Sequence, residues 1–370
     1  MYLFSRRIRD IDWTLIFCVV ALSALSIAQI YSIEPVPGMW RTQLLTLLFV
    51  GLPILFVTLA FDYHKITHAA PIFYGIGIIL LIAVLIFGKV VNGNKSWLYI
   101  GPVGGQPSEL AKIFTIMMLA RYLSQTRKRP LDFQTIAITV LLWAVPAILV
   151  FLENDTGSAL SYISFLAAML LIGGIGWRWV AGGAAAFVLV VILAGIALKT
   201  LDSEKYKNNY KVQRIWAVYF PEKAQDRYLY QNEQSEIAVG SGGVWGKGFR
   251  KGSQGSLGFL PEVQTDFIFA AVGEERGFIG SIFALVLYLI IILRLIAIAR
   301  AARDRTGLLL VSGYAALLLC HVAVSAGMVL RLLPIIGIPM PLLSFGRSSL
   351  LATFFALGLV LNVRLGRFVN

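Results

Sequence analysis

The sequence predicts an all-α polytopic membrane protein of about ten transmembrane helices, and three observations carry that prediction. Of 370 residues, 58% are hydrophobic and only 14% charged, with a mean hydropathy of +0.79, whereas a soluble domain carries roughly a quarter of its residues as charges. The apolar residues form successive runs of about twenty, the length that crosses roughly 30 Å of hydrocarbon. Cations are shared unevenly between alternate breaks in those runs, as expected of a chain that crosses a bilayer repeatedly.

In chain order the runs lie at 13–32, 41–60, 70–87, 107–124, 134–152, 157–173, 177–198, 267–293, 307–330 and 340–363. The first has no convincing small-residue cleavage site, and its flank, Glu34-Pro35-Val36-Pro37, leads directly into the second, so it is expected to remain as an uncleaved span. Pro107 and Ser108 mark the start of the fourth. Cys18 and Cys320 lie far apart inside apolar runs and read as small buried hydrophobes. The whole chain, 1–370, reads as one transmembrane domain without tandem repeats or a second soluble unit.

An even number of spans puts both termini on one side. Short breaks on that side hold Arg6, Arg7, Arg9, Lys65, Arg121, Arg127, Lys128, Arg129, Arg178, Arg294, Arg300, Arg303, Arg305, Arg364 and Arg367, against Arg41, Lys89, Lys95 and Arg331 opposite. The positive-inside bias makes both termini cytoplasmic. The net charge of +13 therefore reads as membrane anchoring, with no nucleic-acid partner expected. Two segments are then extracytoplasmic: 88–106, and the long polar loop 199–266 between helices 7 and 8. Loops of that length in a compact protein usually serve binding or catalysis. Its first part, 205–227, is basic and aromatic, and 240–258 is glycine-rich with interleaved cations, a composition that suits either a flexible linker or backbone amides closing on an anion.

Charges within spans cost a few kcal/mol and are kept for a reason. Glu109 and Lys112 share a face of the fourth helix, and Asp155 sits at a helix end on the outer side, so the three could meet. They would form either a self-neutralising pair that fixes packing or a cavity for a polar head group. Asp266 stands where the long loop enters the eighth helix, and position alone allows a helix cap or a general base, with Glu262, Glu274 and Glu275 as competing acids. His64 and His68 have the i, i+4 spacing of metal ligands but no acidic partner, and read as interface residues. His321 reads as a histidine bonded to a neighbouring helix or as a proton relay. Trp97 and Trp245 are interfacial anchors or sugar-stacking platforms.

Several separated motifs resemble the SEDS family (shape, elongation, division and sporulation) from the first helix to the last: Asn92-Gly-Asn-Lys-Ser-Trp97 with Gln106-Pro-Ser-Glu109, Asp155-Thr-Gly157, Ala238-Val-Gly-Ser-Gly-Gly243, Leu260-Pro-Glu262 with Thr265-Asp-Phe-Ile-Phe269, and Gly337-Ile-Pro-Met-Pro-Leu-Leu-Ser-Phe-Gly346. Ile11-Asp-Trp13 and Lys251-Gly-Ser-Gln254 look closer to the elongation branch, RodA, than to the division branch, FtsW. Asn154, Thr156 and Arg347 depart from the Pro, Leu and Gly common at their positions. The resemblance implies a ten-helix peptidoglycan glycosyltransferase of the bacterial plasma (inner) membrane that polymerises lipid II on the extracytoplasmic face. It further implies Asp266 as general base, a class B penicillin-binding protein as partner, and no organic cofactor. Around the base, Glu109, Lys112, Asp155, Lys95, Trp97, Arg41, Lys247, Gln254 and Glu262 are the expected cavity and substrate residues, with a divalent cation, Mg or Mn, as a candidate for neutralising the leaving diphosphate. A lipid II flippase or a non-catalytic scaffold are the competing classes.

Overall fold

The computed structural model describes residues 10–34, 36, 38–91, 94–100, 103–126 and 128–366. Arg6, Arg7, Arg9, Arg127 and Arg367 of the charge count, Pro35 and Pro37, and Asn92 and Gly93 of the first motif lie outside the described residues. The long helices are α1 (Trp13–Ile33), α2 (Met39–Ala60), α3 (Ala70–Phe87), α4 (Pro107–Gln125), α5 (Phe133–Leu152), α6 (Thr156–Gly173), α7 (Trp177–Thr200), α8 (Tyr210–Tyr219), α9 (Asp226–Ser241), α10 (Ile268–Arg300), α11 (Arg305–Val329) and α12 (Arg347–Gly366). Among the described residues nine are long and apolar enough to cross a membrane, which leaves out α4, α8 and α9. α4 carries Glu109, Lys112 and Arg121, but it runs buried between α3, α5, α6, α11 and α12. Nine plus α4 gives the ten spans expected, and the chain is an all-α polytopic membrane protein.

One end of the bundle is tied by cations. Asp12 caps α1 through the Leu15 N–H at 3.1 Å and accepts from Arg294 at 2.6 Å and Arg364 at 2.8 Å, so the first and last spans finish together. Asp304 caps α11 and accepts from the Tyr63 hydroxyl at 2.5 Å, while Arg305 donates to the Thr126 and Gly173 carbonyls. His64 lies 2.9 Å from Asp62 and 3.6 Å from Asp304, an interface role for that histidine.

The other end holds both segments read as loops, and there the structure differs from expectation. Residues 88–106 contain β1 (Lys89–Val91), β2 (Asn94–Ile100) and β3 (Val103–Gly105), an antiparallel sheet in that order with Lys89 opposite Trp97 and Leu98 opposite Gly105. β1 and β3 are three residues each, too short to carry a readable alternation. The long loop is largely helical: α8 buries Gln213, Trp216 and Ala217 on one face, and α9 packs on α10. α10 is broken at Gly277, whose φ of 66° and ψ of −162° are open to glycine and strained for other residues. α7 buries no residue at all; near its C-terminal end the Leu198 carbonyl accepts from the Trp216 indole at 3.0 Å.

Candidate active site

Four of the separated motifs come together at the loop end. The Gln106 N–H donates to the Ser348 hydroxyl at 2.8 Å, and its side-chain amide donates to Asp155 at 2.6 Å. Asp155 caps α6 by accepting from the Ser158 N–H at 2.9 Å. Gly157 must be glycine for the start of α6 to approach residue 336, because a Cβ there would stand 2.4 Å from the Ile336 carbonyl oxygen. One residue further, Gly337 adopts a φ of 68° and lies against Asp266, 3.4 Å from its carboxylate oxygen to an added Cβ. The Phe345 N–H donates to the Gln264 carbonyl at 2.8 Å, which seats the Asp266 turn on the last motif.

That turn is closed by Glu262, which has a φ of 54° and whose carbonyl accepts from the Thr265 and Asp266 N–H groups at 3.2 and 3.0 Å. α10 begins two residues after Asp266, with Phe267 at its N-cap and no side-chain cap bond, so the capping alternative for Asp266 has no geometry behind it. Burial pushes the half-buried Asp266 carboxyl up to about 6, with Glu262 adding to the rise, the Arg214 guanidinium opposing it and Asp155 adding a little more. An acid held there ionises near neutrality, the range in which a carboxylate works as a proton acceptor.

Beneath lies the intramembrane pair. Lys112 Nζ is 2.7 Å from Glu109 and 3.4 Å from His321 Nε2, with all three side chains buried. They line a cavity of about 20 Å³ with Tyr314, Ser349 and Thr353, room for a water or so. Asp155 hydrogen-bonds Gln106 and Ser158, while Lys112 and Glu109 act on it through charge without a hydrogen bond.

The remaining candidates make contacts within the chain. Lys95 donates to the Leu85 and Ile86 carbonyls at 2.6 and 3.2 Å and closes the end of α3. Trp97 is half-buried on β2 beside Tyr99. Arg41 lies over the Trp40 ring. Lys247 is paired with Glu274 at 2.6 Å. Gln254 gives its N–H to the same carboxylate, while its side-chain oxygen is buried without a partner. The glycine-rich amides do close on an anion, but it is the protein's own Glu274, which also takes the Ser253 N–H at 2.8 Å. Glycines are required because the backbones nearly touch: a Cβ at Gly242 would be 2.0 Å from the Gly273 oxygen and one at Gly246 2.2 Å from the Glu275 oxygen. Glu275 accepts from Ser32 at 2.6 Å and Gln29 at 3.0 Å. Two of the three competing acids, Glu274 and Glu275, are thus engaged as tethers.

Sequence reasoning missed Arg214, visible beforehand only as one cation of a basic stretch. It lies over the Tyr210 ring, whose hydroxyl donates to the Asn154 carbonyl at 3.1 Å, and its Nε is buried without a partner. It missed Glu153 as well, a fully buried carboxyl with no hydrogen-bond partner for either oxygen. Asn154 has a φ of 65°, closed to the Pro common at that position and open to Asn.

A bundle of apolar spans that carries a half-buried acid, Asp266, and a nearby guanidinium, Arg214, at its loop end defines a polytopic membrane protein. The chain belongs to the FtsW, RodA and SpoVE family of cell cycle proteins, whose model matches residues 9–367. It is 33% identical to the peptidoglycan glycosyltransferase MrdB of Escherichia coli (strain K12), covering 96% of this chain and 94% of that protein, and 28% identical to the peptidoglycan glycosyltransferase RodA of Treponema pallidum, covering 97% and 98%. Among solved structures it is similar to a chain of a peptidoglycan synthase complex that coordinates polymerization and crosslinking, with a TM-score of 0.81 at 30% identity over 97% and 99% of the two chains. It is also similar to the rod shape determining protein RodA of Thermus thermophilus, with a TM-score of 0.71 at 29% identity over 97% and 98%.

Proposed function

We propose that this chain is a peptidoglycan glycosyltransferase that polymerises lipid II on the extracytoplasmic face of the bacterial inner membrane, with Asp266 as general base. The enzyme class rests on family membership and on relatives that carry that activity in their names. The observation that carries the catalytic assignment is the geometry of Asp266, half-buried against Gly337 on the turn that precedes α10 and uninvolved in capping, where burial pushes its carboxyl up to about 6. In the reaction the acceptor sugar's 4-hydroxyl attacks the donor's anomeric carbon and its proton passes to the Asp266 carboxylate. The bond from that carbon to the diphosphate oxygen breaks with inversion, and polyprenyl diphosphate leaves with the electron pair. Such a leaving group needs alignment and charge neutralisation more than acid catalysis, and Arg214, with its unpartnered Nε, is the nearby cation suited to that.

Mg and Mn are commonly held by one or two carboxylates together with substrate phosphates, so a divalent cation, Mg or Mn, stays a candidate for neutralising the leaving diphosphate. Any such ion would arrive on the diphosphate, and no step here depends on it. The cation-tied end of the bundle, with Arg294, Arg305 and Arg364, supports a cytoplasmic assignment for that end and an extracytoplasmic one for Asp266. A class B penicillin-binding protein is the partner we infer, on the strength of the complex to which the chain is similar. A cavity of about 20 Å³ around Lys112 gives the flippase reading little support.

The test is purified Asp266→Asn supplied with lipid II. Asn keeps the shape but cannot take the proton, so polymerisation should fall by about two or more orders of magnitude while yield, lipid II binding and copurification with the partner persist. Polymerisation at close to the normal rate would remove Asp266 from catalysis. Wild type that moves lipid II across liposomes without polymerising it would favour transport.

A further inference from the structure

A second cationic site lies apart from Asp266, at the level where three spans leave the hydrocarbon. α1 ends at Ile33 and α2 begins at Met39, and the second half of α10 starts after the break at Gly277. Three rings meet there in a row: Trp40 edge-on to Tyr31 at 5.5 Å, and Tyr31 stacked with Phe249 at 6.3 Å. Each ring carries a guanidinium, with Arg41 5.3 Å from Trp40, Arg250 5.8 Å from Tyr31 and Arg276 6.0 Å from Phe249.

Among the described residues none of these guanidinia forms an ion pair with a carboxylate. The acid below them, Glu275, is buried and taken up by Ser32 and Gln29, and Arg276 reaches only the Gln29 side-chain oxygen at 3.4 Å. Exposed apolar side chains flank the row, including Val36, Val244 and Trp245, the last 80% exposed. A tryptophan so placed, beside cations and at the end of membrane spans, belongs to the interfacial belt where headgroups lie. Cation–π contacts hold the guanidinia in place while leaving their N–H groups available to phosphate oxygens.

We propose that Arg41, Arg250 and Arg276, on the Trp40–Tyr31–Phe249 row, bind the phosphodiester of an anionic phospholipid in the leaflet at the loop end. The occupant is a bulk lipid because Arg41 and Arg250 are exposed beside the ends of α1 and α2, and because the residues of the row make none of the contacts that organise the Asp266 turn. Bound there, the lipid pins the 243–256 segment, and through it the α10 break, to the membrane surface.

The experiment is native mass spectrometry of the full chain in detergent, titrated with phosphatidylglycerol or phosphatidylcholine. Wild type should retain phosphatidylglycerol selectively. Arg250→Gln, at an exposed side chain whose loss does not threaten folding, should weaken that binding about fivefold, the effect of one cation near a membrane surface, and Arg250→Gln with Arg276→Gln should weaken it about twenty-fivefold. Arg178→Gln, an exposed cation at the other end of the bundle, should change nothing. Unaltered binding in the double variant, an equal loss in Arg178→Gln, or equal retention of phosphatidylcholine would each overturn the proposal. So would displacement of phosphatidylglycerol by a short polyprenyl diphosphate at far lower concentration, which would reassign the row to the substrate lipid. None of these readings depends on polymerase activity.

Discussion

Asp266 and Arg214 act on one another across the site, and the sign of that interaction is testable. Asp266 must be ionised to accept a proton, so activity should rise with pH through about 6, where its carboxyl titrates. Arg214 holds that titration down. Arg214→Gln should therefore move the acid limb of the pH–rate profile to higher pH, and a limb that stays put would mean that Arg214 does not act on the base. Lys112 poses a different residue-scale question, because it is 1% exposed and its carboxylate partner is Glu109 at 2.7 Å. Lys112→Met leaves that carboxylate buried and unpaired, at a cost of about 3–5 kcal/mol. Adding Glu109→Gln removes the stranded charge and should recover part of the loss, whereas strictly additive drops in Tm would show that the pair is uncoupled.

The elements that shape the loop end depend on glycine at specific backbone contacts. Gly277 has φ 66°, and a Cβ there would meet the Gly246 nitrogen at 2.3 Å and the Val244 oxygen at 2.6 Å, atoms of backbone that cannot swing aside. Gly277→Ala should cost at least about 1–3 kcal/mol and expose 243–256 to protease. Gly183 of α7 has nothing within 4 Å of an added Cβ, so Gly183→Ala should be neutral or gain about 0.5–1 kcal/mol. Equal melting shifts for the two would show that the α10 break is not held by its packing. The break matters because Phe278 and Ile279 donate to the Gly243 and Val244 carbonyls at 2.9 and 3.2 Å, so loop and helix lock through main-chain bonds.

For the whole molecule, the orientation in the membrane is tested by labelling its two ends. Ser203 is exposed at the loop end and Lys65 at the cation-tied end. With both termini cytoplasmic, Ser203→Cys should react with an impermeant maleimide in intact spheroplasts, and Lys65→Cys only after lysis. The reverse pattern would move Asp266 to the cytoplasmic face and remove the basis for lipid II polymerisation outside. The native thiols leave this readout clear, since Cys18 is buried and Cys320 partly so.

By itself the sequence determined that the chain is a ten-span membrane protein, because each span of about twenty apolar residues is a local property and needs no partner to be read. It also singled out Asp266, Asp155 and the Glu109–Lys112 pair, since charges in such a background are conspicuous by their cost. Only the tertiary structure decided what each polar group touches. Lys247 and Gln254 stand out in sequence as a cation and an amide of the glycine-rich loop, and only the fold shows that both donate to Glu274, twenty or more positions away. Likewise only the fold shows that Lys95 donates to the end of α3. Arg214 became visible only when α8 folded over the Asp155 loop. Hydrophobic period is encoded residue by residue along the chain, whereas a hydrogen bond or an ion pair belongs to two segments at once and exists only when packing brings them together.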